Sequence, residues 1–230
     1  MIYTMDGRIR FSEVDGEGYL RCDNIINYFQ DCSTFQSEDL GIGVEWLRKQ
    51  DLAWVVISWQ IEVYKYPKLG DKITVGTFAY DFKSFLGYRN YFMKDENGEF
   101  LAKASSIWVL FNTETNKMIK AGKEQMDLYG IEEKLDMEYQ SRKILVPDGL
   151  REGGALEIKS YHLDTNGHVN NGQFMNIAAG SIDGLKRPTR IRAEYKKQGH
   201  LGDIVIPFTD GKNVDLRTPD GETYCVIVLE

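Results

Sequence analysis

Leu163-Asp164-Thr165-Asn166-Gly167-His168-Val169-Asn170-Asn171 repeats, in altered form, a stretch near the start of the chain, Val14-Asp15-Gly16-Glu17-Gly18-Tyr19. Each copy leads into an amphipathic helix, near Asp23 and near Gly172, and the offset from Asp15 to Asp164 is 149 residues. Further pairs keep the same order. Leu69-Gly70-Asp71 matches Leu201-Gly202-Asp203 at an offset of 132, which sets Glu62 against Glu194, and Asn97-Gly98-Glu99 matches Asp220-Gly221-Glu222. An internal repeat decides architecture before any single motif does, because two copies of one unit bury each other's edges and faces. The expected fold is a fused pseudo-dimer, each copy a helix wrapped by an antiparallel sheet.

Periodicity assigns the elements. Over residues 23–36, Ile25, Tyr28, Phe29, Cys32 and Phe35 recur at three- and four-residue intervals, with Asp23 placed as the helix cap. Val55, Ile57, Trp59, Ile61 and Val63 then alternate with Val56, Ser58, Gln60 and Glu62, the period of a long half-buried strand. Further strands are expected over residues 72–80, 87–94 and 100–111, the last two joined by the hairpin signal Asn97-Gly98. Residues 123–139 read as a charged, weak helix with Met126, Leu128, Tyr129, Ile131 and Leu135 on its apolar side. In the second half, Asn170 or Asn171 caps a helix whose inner face is Phe174, Ile177, Ala178, Ile182 and Leu185. Strands follow over 190–198, 203–209, 213–218 and 222–229. This divides the chain into a first repeat (1–120), a connection (121–150) and a second repeat (151–230).

The 230 residues carry 28 basic and 35 acidic side chains, a net charge of −7, and 42% are hydrophobic. That is the profile of a soluble globular chain, able to bury about 70% of its unfolded surface. Apolar runs such as 53–57, 107–111 and 225–229 fall far short of the roughly 20 residues a membrane helix needs. The N-terminus lacks the basic start and apolar stretch of a secretory signal, so the cytoplasm is the expected location. Cys22, Cys32 and Cys225 are widely spaced and odd in number, and read as reduced packing thiols rather than a disulfide or zinc framework. The acidic balance opposes non-specific binding to nucleic acid.

The second copy departs from the first where chemistry could sit. Asp164, Asn166 and His168 stand at alternate positions, so a carboxylate, an amide and an imidazole can project to one side of an extended segment. The helix that follows offers free backbone N–H groups that can polarise a carbonyl oxygen.

The motif Asp164-x-Asn166-x-His168-Val169-Asn170-Asn171 resembles the active-site motif of the acyl-acyl carrier protein (acyl-ACP) thioesterases, double hot-dog enzymes of plastid and bacterial fatty-acid metabolism. Trp54-Val55-Val56, Tyr66-Pro67 with Gly70-Asp71, Tyr88-Arg89, Gly98-Glu99 and Ala104-Ser105-Ser106-Ile107-Trp108-Val109 resemble that family's first hot-dog repeat, so the likeness spans nearly the whole chain. It implies an α+β tandem hot-dog that hydrolyses fatty acyl-ACP without a metal or organic cofactor. By resemblance Asp164 anchors the network, Asn166 orients the thioester or the attacking water, and His168 polarises or shuttles protons. The family pattern continues with a Glu, commonly followed by Cys, after a Glu-Tyr-basic-basic stretch. Here Glu194-Tyr195-Lys196-Lys197 is followed by Gln198 and Gly199. Gln198 can position a water but cannot take its proton, which leaves Asp164 or His168 as the base. Two routes stay open: water attack with the helix N-terminus near Asn171 holding the oxyanion, and direct attack by Asp164 through an anhydride.

In the first repeat Tyr19 and Glu17 replace His168 and Asn166, and the resemblance gives that repeat the acyl chain. Candidates to line its pocket are Phe29, Cys32, Phe35, Trp46, Trp54 and Trp59, all of which also suit an ordinary core. Carrier proteins of this pathway are acidic, so Arg190, Arg192, Lys196 and Lys197 are candidates for docking one, against the plain alternative of a solvated strand face. His162, Asp164 and His200 also mimic an iron ligand set, a weak signal from scattered residues. An acyl-CoA thioesterase of the same fold and a non-catalytic acyl-binding module are the other readings, the second favoured by Gln198. Acyl chain length and further pairing into a homodimer are not legible at this level.

Overall fold

In the computed structural model, which describes residues 1–230, the chain begins with β1 (Tyr3–Arg8), α1 (Cys22–Asp39), α2 (Val44–Lys49), β2 (Leu52–Val63), β3 (Lys72–Lys83), β4 (Leu86–Asp95), β5 (Phe100–Asn112) and β6 (Lys117–Ile119). It continues through α3 (Lys123–Tyr129), β7 (Arg151–Glu152), β8 (Leu156–Glu157), α4 (Asn171–Gly180), β9 (Arg190–Tyr195), β10 (Ile204–Thr209), β11 (Asn213–Arg217) and β12 (Thr223–Leu229). The strands form one antiparallel sheet in the order β1-β3-β4-β5-β2-β9-β12-β11-β10-β7, with β6 beside β5 and β8 beside β10. The expected tandem of helix-wrapped sheets is present, with α1 serving the first copy and α4 the second.

The two copies meet at β2 and β9, which pair antiparallel from Ser58 opposite Glu194 to Glu62 opposite Arg190. Gln60 faces Arg192 at the centre of this pairing. The repeat offset of 132 carries residue 60 onto 192, so a local two-fold axis passes between these two residues. On the inner side α1 and α4 lean together, and Asn171 Nδ2 donates to Gln30 Oε1 at 3.1 Å. A Cβ on Gly172 would collide with the Asn27 amide, so glycine is what lets the helices approach this closely. A single cluster of 35 buried residues runs through both copies, from Ile25, Phe29 and Trp59 to Phe174, Ala193 and Ile227.

Several details differ from the sequence reading. Helix α1 starts at Cys22 with Arg21 as its N-cap, and Asp23 lies in the first turn beside the Arg21 guanidinium at 3.3 Å. An acidic group there still suits the positive end of the helix. The alternation along β2 breaks at a bulge between Val56 and Ser58, so Val56 is buried while Val55 and Ile57 are only half-buried. Strand β1 and helix α2 are further elements that the periodicity did not single out. The expected helix over 123–139 stops at Tyr129, where Gly130 takes φ +67°.

Beyond Gly130 the connection crosses the sheet as an extended strap held by its backbone and by the Tyr139 hydroxyl. Leu135 N–H and Tyr139 OH donate to Asn90 Oδ1 at 3.0 and 2.8 Å. Gln140 N–H donates to Gln60 Oε1 at 3.0 Å, and Ile144 N–H to the buried Glu194 carboxylate at 3.0 Å. These side chains satisfy backbone groups that a helix would have satisfied internally, which removes the need for one. Glu194, the repeat mate of Glu62, is therefore a fastener of the strap. No helix of the chain is long and apolar enough to cross a membrane.

One sheet and one core should unfold as one unit. Ile61, 1% exposed, sits between Ala104 and Ile191 at the seam. Replacement Ile61→Ala is expected to cost about 2–5 kcal/mol, as buried isoleucine truncations do. Calorimetry should show a single transition shifted down; two separated transitions would contradict a shared core.

Candidate active site

The same turn is built twice. Asp164 Oδ1 accepts the N–H groups of Asn166 and His168 at 2.8 and 3.1 Å, while its own N–H donates to the His168 carbonyl at 2.7 Å. In the first copy Asp15 Oδ1 accepts from Glu17 and Tyr19 at 2.9 and 3.0 Å, and Asp15 N–H donates to the Tyr19 carbonyl at 2.7 Å. An aspartate closing a turn over two backbone donors is what fixes the next side chains in place. Gly167 and Gly18 take φ +77° and +80° at the same point of each turn, a conformation open to glycine. The duplicated scaffold thus presents Asn166 and His168 in one copy, Glu17 and Tyr19 in the other.

Helix α4 begins two residues after Val169. Asn170 is the N-cap and its side chain accepts the Gly172 N–H at 2.8 Å. Its carbonyl takes the N–H groups of Gln173 and Phe174 at 2.9 and 3.2 Å. The Asn171 N–H has no intrahelical acceptor, since the first turn of any helix lacks one. Tyr195 OH donates to the Asn171 carbonyl at 3.3 Å and steadies this end. Neither the cap at Asn170 nor Tyr195 is exposed to the solvent as a surface group, and Asn166 is.

His168 is half-buried, and burial is the main cause that holds its pKa below the ordinary 6.5. The Asp164 carboxylate opposes that shift and His200 reinforces it. The His200 ring stands edge-on to His168, centroids 5.1 Å apart, and His200 Nδ1 lies 3.8 Å from Asp203. At neutral pH the His168 imidazole is therefore uncharged and able to take a proton. The sequence set His200 only in a metal-ligand pattern with His162 and Asp164, and the structure puts it beside His168 instead. The repeat carried the signal: an offset of 132 places His200 on Lys68, whose ammonium lies 4.8 Å over the ring of Tyr19, the counterpart of His168.

The remaining candidates fall in different places. Gln198 is exposed, and Gly199 beside it is buried, with its carbonyl accepting the Val169 N–H at 2.9 Å. A Cβ at Gly199 would lie 2.8 Å from Val169 Cγ2, so the cysteine of the family pattern would need the loop to shift. His162 Nδ1 accepts the Lys159 N–H at 2.9 Å, and no three His, Cys, Asp or Glu side chains come together as a metal-ligand set. Phe29, Cys32 and Trp59 lie in the main core. Trp46 packs on a separate cluster of Ile42, Ala79 and Tyr129, and Trp54 is half-buried. Phe35 is 49% exposed on the outer side of α1, which sets it apart from the inward face the spacing gave it.

The four cations are also divided. Arg190 and Arg192 line a cleft of about 270 Å³ on the strap side with Glu62, Glu138 and Glu230. Lys196 stands 3.9 Å from Glu194, and Lys197 pairs with Glu222 and lies over Tyr224. In the first copy of the turn, Arg187 binds Asp15 and Glu17 at 3.0 and 2.8 Å and covers the Tyr19 ring. Arg187 and Lys186 hold the exposed Glu17 carboxyl down to about 2. A cleft of about 620 Å³ opens here, lined by Tyr19, Lys65, Tyr66, Lys68 and Arg187, at the copy without the histidine.

Residues 1–129 match the sequence profile of the acyl-ACP thioesterase N-terminal domain. Over the full chain, the palmitoyl-acyl carrier protein thioesterase of Arabidopsis thaliana is 26% identical, and 60% of its length is covered. An acyl-[acyl-carrier-protein] hydrolase of Cuphea viscosissima is 26% identical over 76% of the chain and 46% of its own length. The chain spans about half the length of the curated relatives it matches. Among solved structures, an acyl-ACP thioesterase of Bacteroides thetaiotaomicron superposes over 99% of this chain and 97% of its own, with TM-score 0.88 and 23% identity. The 12:0-ACP thioesterase of Umbellularia californica covers 100% of this chain and 96% of its own, with TM-score 0.86 and 20% identity. These structural likenesses show that the double hot-dog fold is shared.

The electrostatics of the turn can be tested directly. In an NMR pH titration, His168 is expected to titrate below 6.5. His200→Ala removes a neighbour that lowers the value and should move the His168 midpoint up, whereas Asp164→Asn should move it further down. A His168 midpoint at or above 6.5 would contradict the burial seen here.

Proposed function

Because the family profile matches residues 1–129 of 230, the chain belongs to the acyl-ACP thioesterase family, and from that premise we propose that it hydrolyses fatty acyl-ACP in the cytoplasm to free fatty acid and carrier protein. The observation that carries the reading is the Asp164 turn, which holds an uncharged, half-buried imidazole at the head of α4. In this reading residues 151–230 perform the chemistry, residues 1–120 receive the acyl chain between α1 and the sheet, and residues 121–150 connect them.

His168 acts as the base. The Asp164 oxygen that faces the turn is already engaged by two N–H groups, and Gln198 has no proton-accepting nitrogen or carboxylate. A water attacks the thioester carbonyl carbon and passes its proton to His168. The oxyanion that forms faces the Asn171 N–H at the positive end of α4, where donors and dipole favour negative charge. Collapse breaks the C–S bond, and the imidazolium returns the proton to the departing thiolate. Asp164 stabilises the transient imidazolium, Asn166 orients the thioester, and Gln198 holds the water. Carrier docking falls on the Lys197 side of the second copy, and Arg190 and Arg192 on the strap side are a separate face.

The test is release of free fatty acid from a panel of acyl-ACPs and matching acyl-CoAs. His168→Ala is expected to lower kcat by roughly 10²–10⁴, the usual contribution of a positioned acid–base group. Asp164→Asn keeps both turn hydrogen bonds, so it should lower kcat while leaving Tm near the parent value. Lys197→Glu should raise KM for acyl-ACP and leave a small acyl thioester unaffected, with Arg190→Glu as the unaffected control. Full activity in His168→Ala would overturn the assignment of the base. Binding without release in the parent chain would replace hydrolysis by acyl binding.

A further inference from the structure

Two side chains hold the first residue of α4, and neither bond has a counterpart across the local two-fold. Tyr195 OH donates to the Asn171 carbonyl at 3.3 Å, and Asn171 Nδ2 donates to Gln30 Oε1 at 3.1 Å. Tyr195 is placed by its pairing with Cys225 on β12, and burial pushes its hydroxyl well above the usual range, so it remains a donor. Gln30 comes from the middle of α1, in the other copy. The Asn27 amide packs against the next residue, Gly172. What this leaves free is the backbone N–H of Asn171, which finds no acceptor in the protein.

The duplication supplies an internal control. The offset of 149 that carries Asp15 onto Asp164 also carries Cys22, the first residue of α1, onto Asn171, and Gln30 onto Ala179. The offset of 132 carries Val63 onto Tyr195. Ala179 and Val63 have no polar side-chain atom, so neither bond can be rebuilt at Cys22. The Asp15 turn still closes with the same two hydrogen bonds and still leads into a long helix, so the fold does not require the pair. Both bonds occur only at the helix start that follows His168. A feature confined to the one of two equivalent places that holds the imidazole belongs to the chemistry rather than to the packing.

We infer that Gln30 and Tyr195 are positioning residues of the reaction, which pin the side chain and the carbonyl of Asn171 and so aim its N–H at the oxyanion. This rests on the hydrolase reading above and deepens it: the copy without the histidine contributes a residue to catalysis in the copy that has it. Three bonds leave the Asn171 Cα toward the rest of the chain. Gln30 fixes the branch through Cβ, Tyr195 fixes the carbonyl, and the Asn170 carbonyl, which accepts from Gln173 and Phe174, fixes the plane of the peptide that carries the N–H. A donor aimed in advance needs no reorganisation when negative charge develops on the carbonyl oxygen. Neither Gln30 nor Tyr195 touches the reacting atoms in this arrangement; both act through Asn171.

The experiment uses Gln30→Met, which keeps the side-chain length and removes its oxygen, Asn171→Ala, which removes the other end of that bond and keeps the backbone N–H, and the two combined. Each is assayed on acyl-ACP and titrated with two acyl analogues. One is an alkyl trifluoromethyl ketone, whose hydrate mimics the tetrahedral intermediate; the other is an alkyl-pantetheine thioether, which lacks the carbonyl oxygen. Gln30→Met should lower kcat by roughly 10–100-fold with KM near the parent value, the cost of a misplaced donor. Affinity for the ketone should fall in proportion and affinity for the thioether should hold. The double variant should lose no more than either single one, because both remove the same bond. An unchanged kcat overturns the inference, and so does an equal loss of affinity for both analogues, the mark of a merely structural role. If Gln30→Met does not fold, Tyr195→Phe removes only a hydroxyl and carries the same expectations. A parent that hydrolyses no acyl-ACP sinks the hydrolase reading, and the analogues then decide alone. A parent preference for the ketone that the variants lose supports the positioning role; no preference, or one the variants keep, refutes it.

Discussion

The antiparallel pairing of β2 with β9 makes one sheet of two copies, and the placement of everything else depends on it. Without this seam each copy would expose a sheet edge and an apolar face, and a short repeat cannot bury enough surface alone. With it, the two inner helices are brought side by side, and the head of α4 comes to rest against the middle of α1 through Asn171, Gln30, Gly172 and Asn27. The candidate site is a consequence of that contact. The turn and the helix start belong to the second copy, and the helix they rest against belongs to the first.

Duplication also explains why one scaffold carries two different surfaces. Asp15 and Asp164 close their turns with the same two hydrogen bonds, so the backbone is indifferent to what the turn displays. In the second copy it displays an imidazole held neutral by burial. In the first it displays Glu17 and Tyr19, which Arg187 and Lys186 have converted into an ion-paired patch. The glutamates at the seam diverge in the same manner. Glu62 lies toward the surface, where Tyr64 OH donates to it at 2.9 Å, whereas Glu194 is buried beneath the strap and accepts a backbone N–H. Two-fold symmetry sets the positions, and the single strap of residues 130–150 breaks it.

Much of this was legible in the chain itself. The matched turns, the apolar stripes and the Asn-Gly hairpin are local patterns, and local patterns survive in sequence because a period of two or of 3.6 residues needs no knowledge of distant partners. Asn170 as a cap belongs to the same class. The end of α3 at Tyr129 was less legible, since the groups that hold the following strap extended are Asn90, Gln60 and Glu194, each far away in sequence. The bulge that turns Val56 inward is likewise set by pairing with β5.

For this protein, the sequence alone determined the duplicated helix-and-sheet plan, the turn carrying Asp164, Asn166 and His168, and the loss of a carboxylate at position 198. These are matters of residue identity and short-range spacing. Tertiary structure alone decided that His200 stands edge-on to His168, that Phe35 faces outward, and that Arg190 and Arg192 lie apart from Lys197. Each of those depends on which of several chemically equivalent neighbours reaches a group first, and that is settled by sheet register and helix packing across more than a hundred residues rather than by composition.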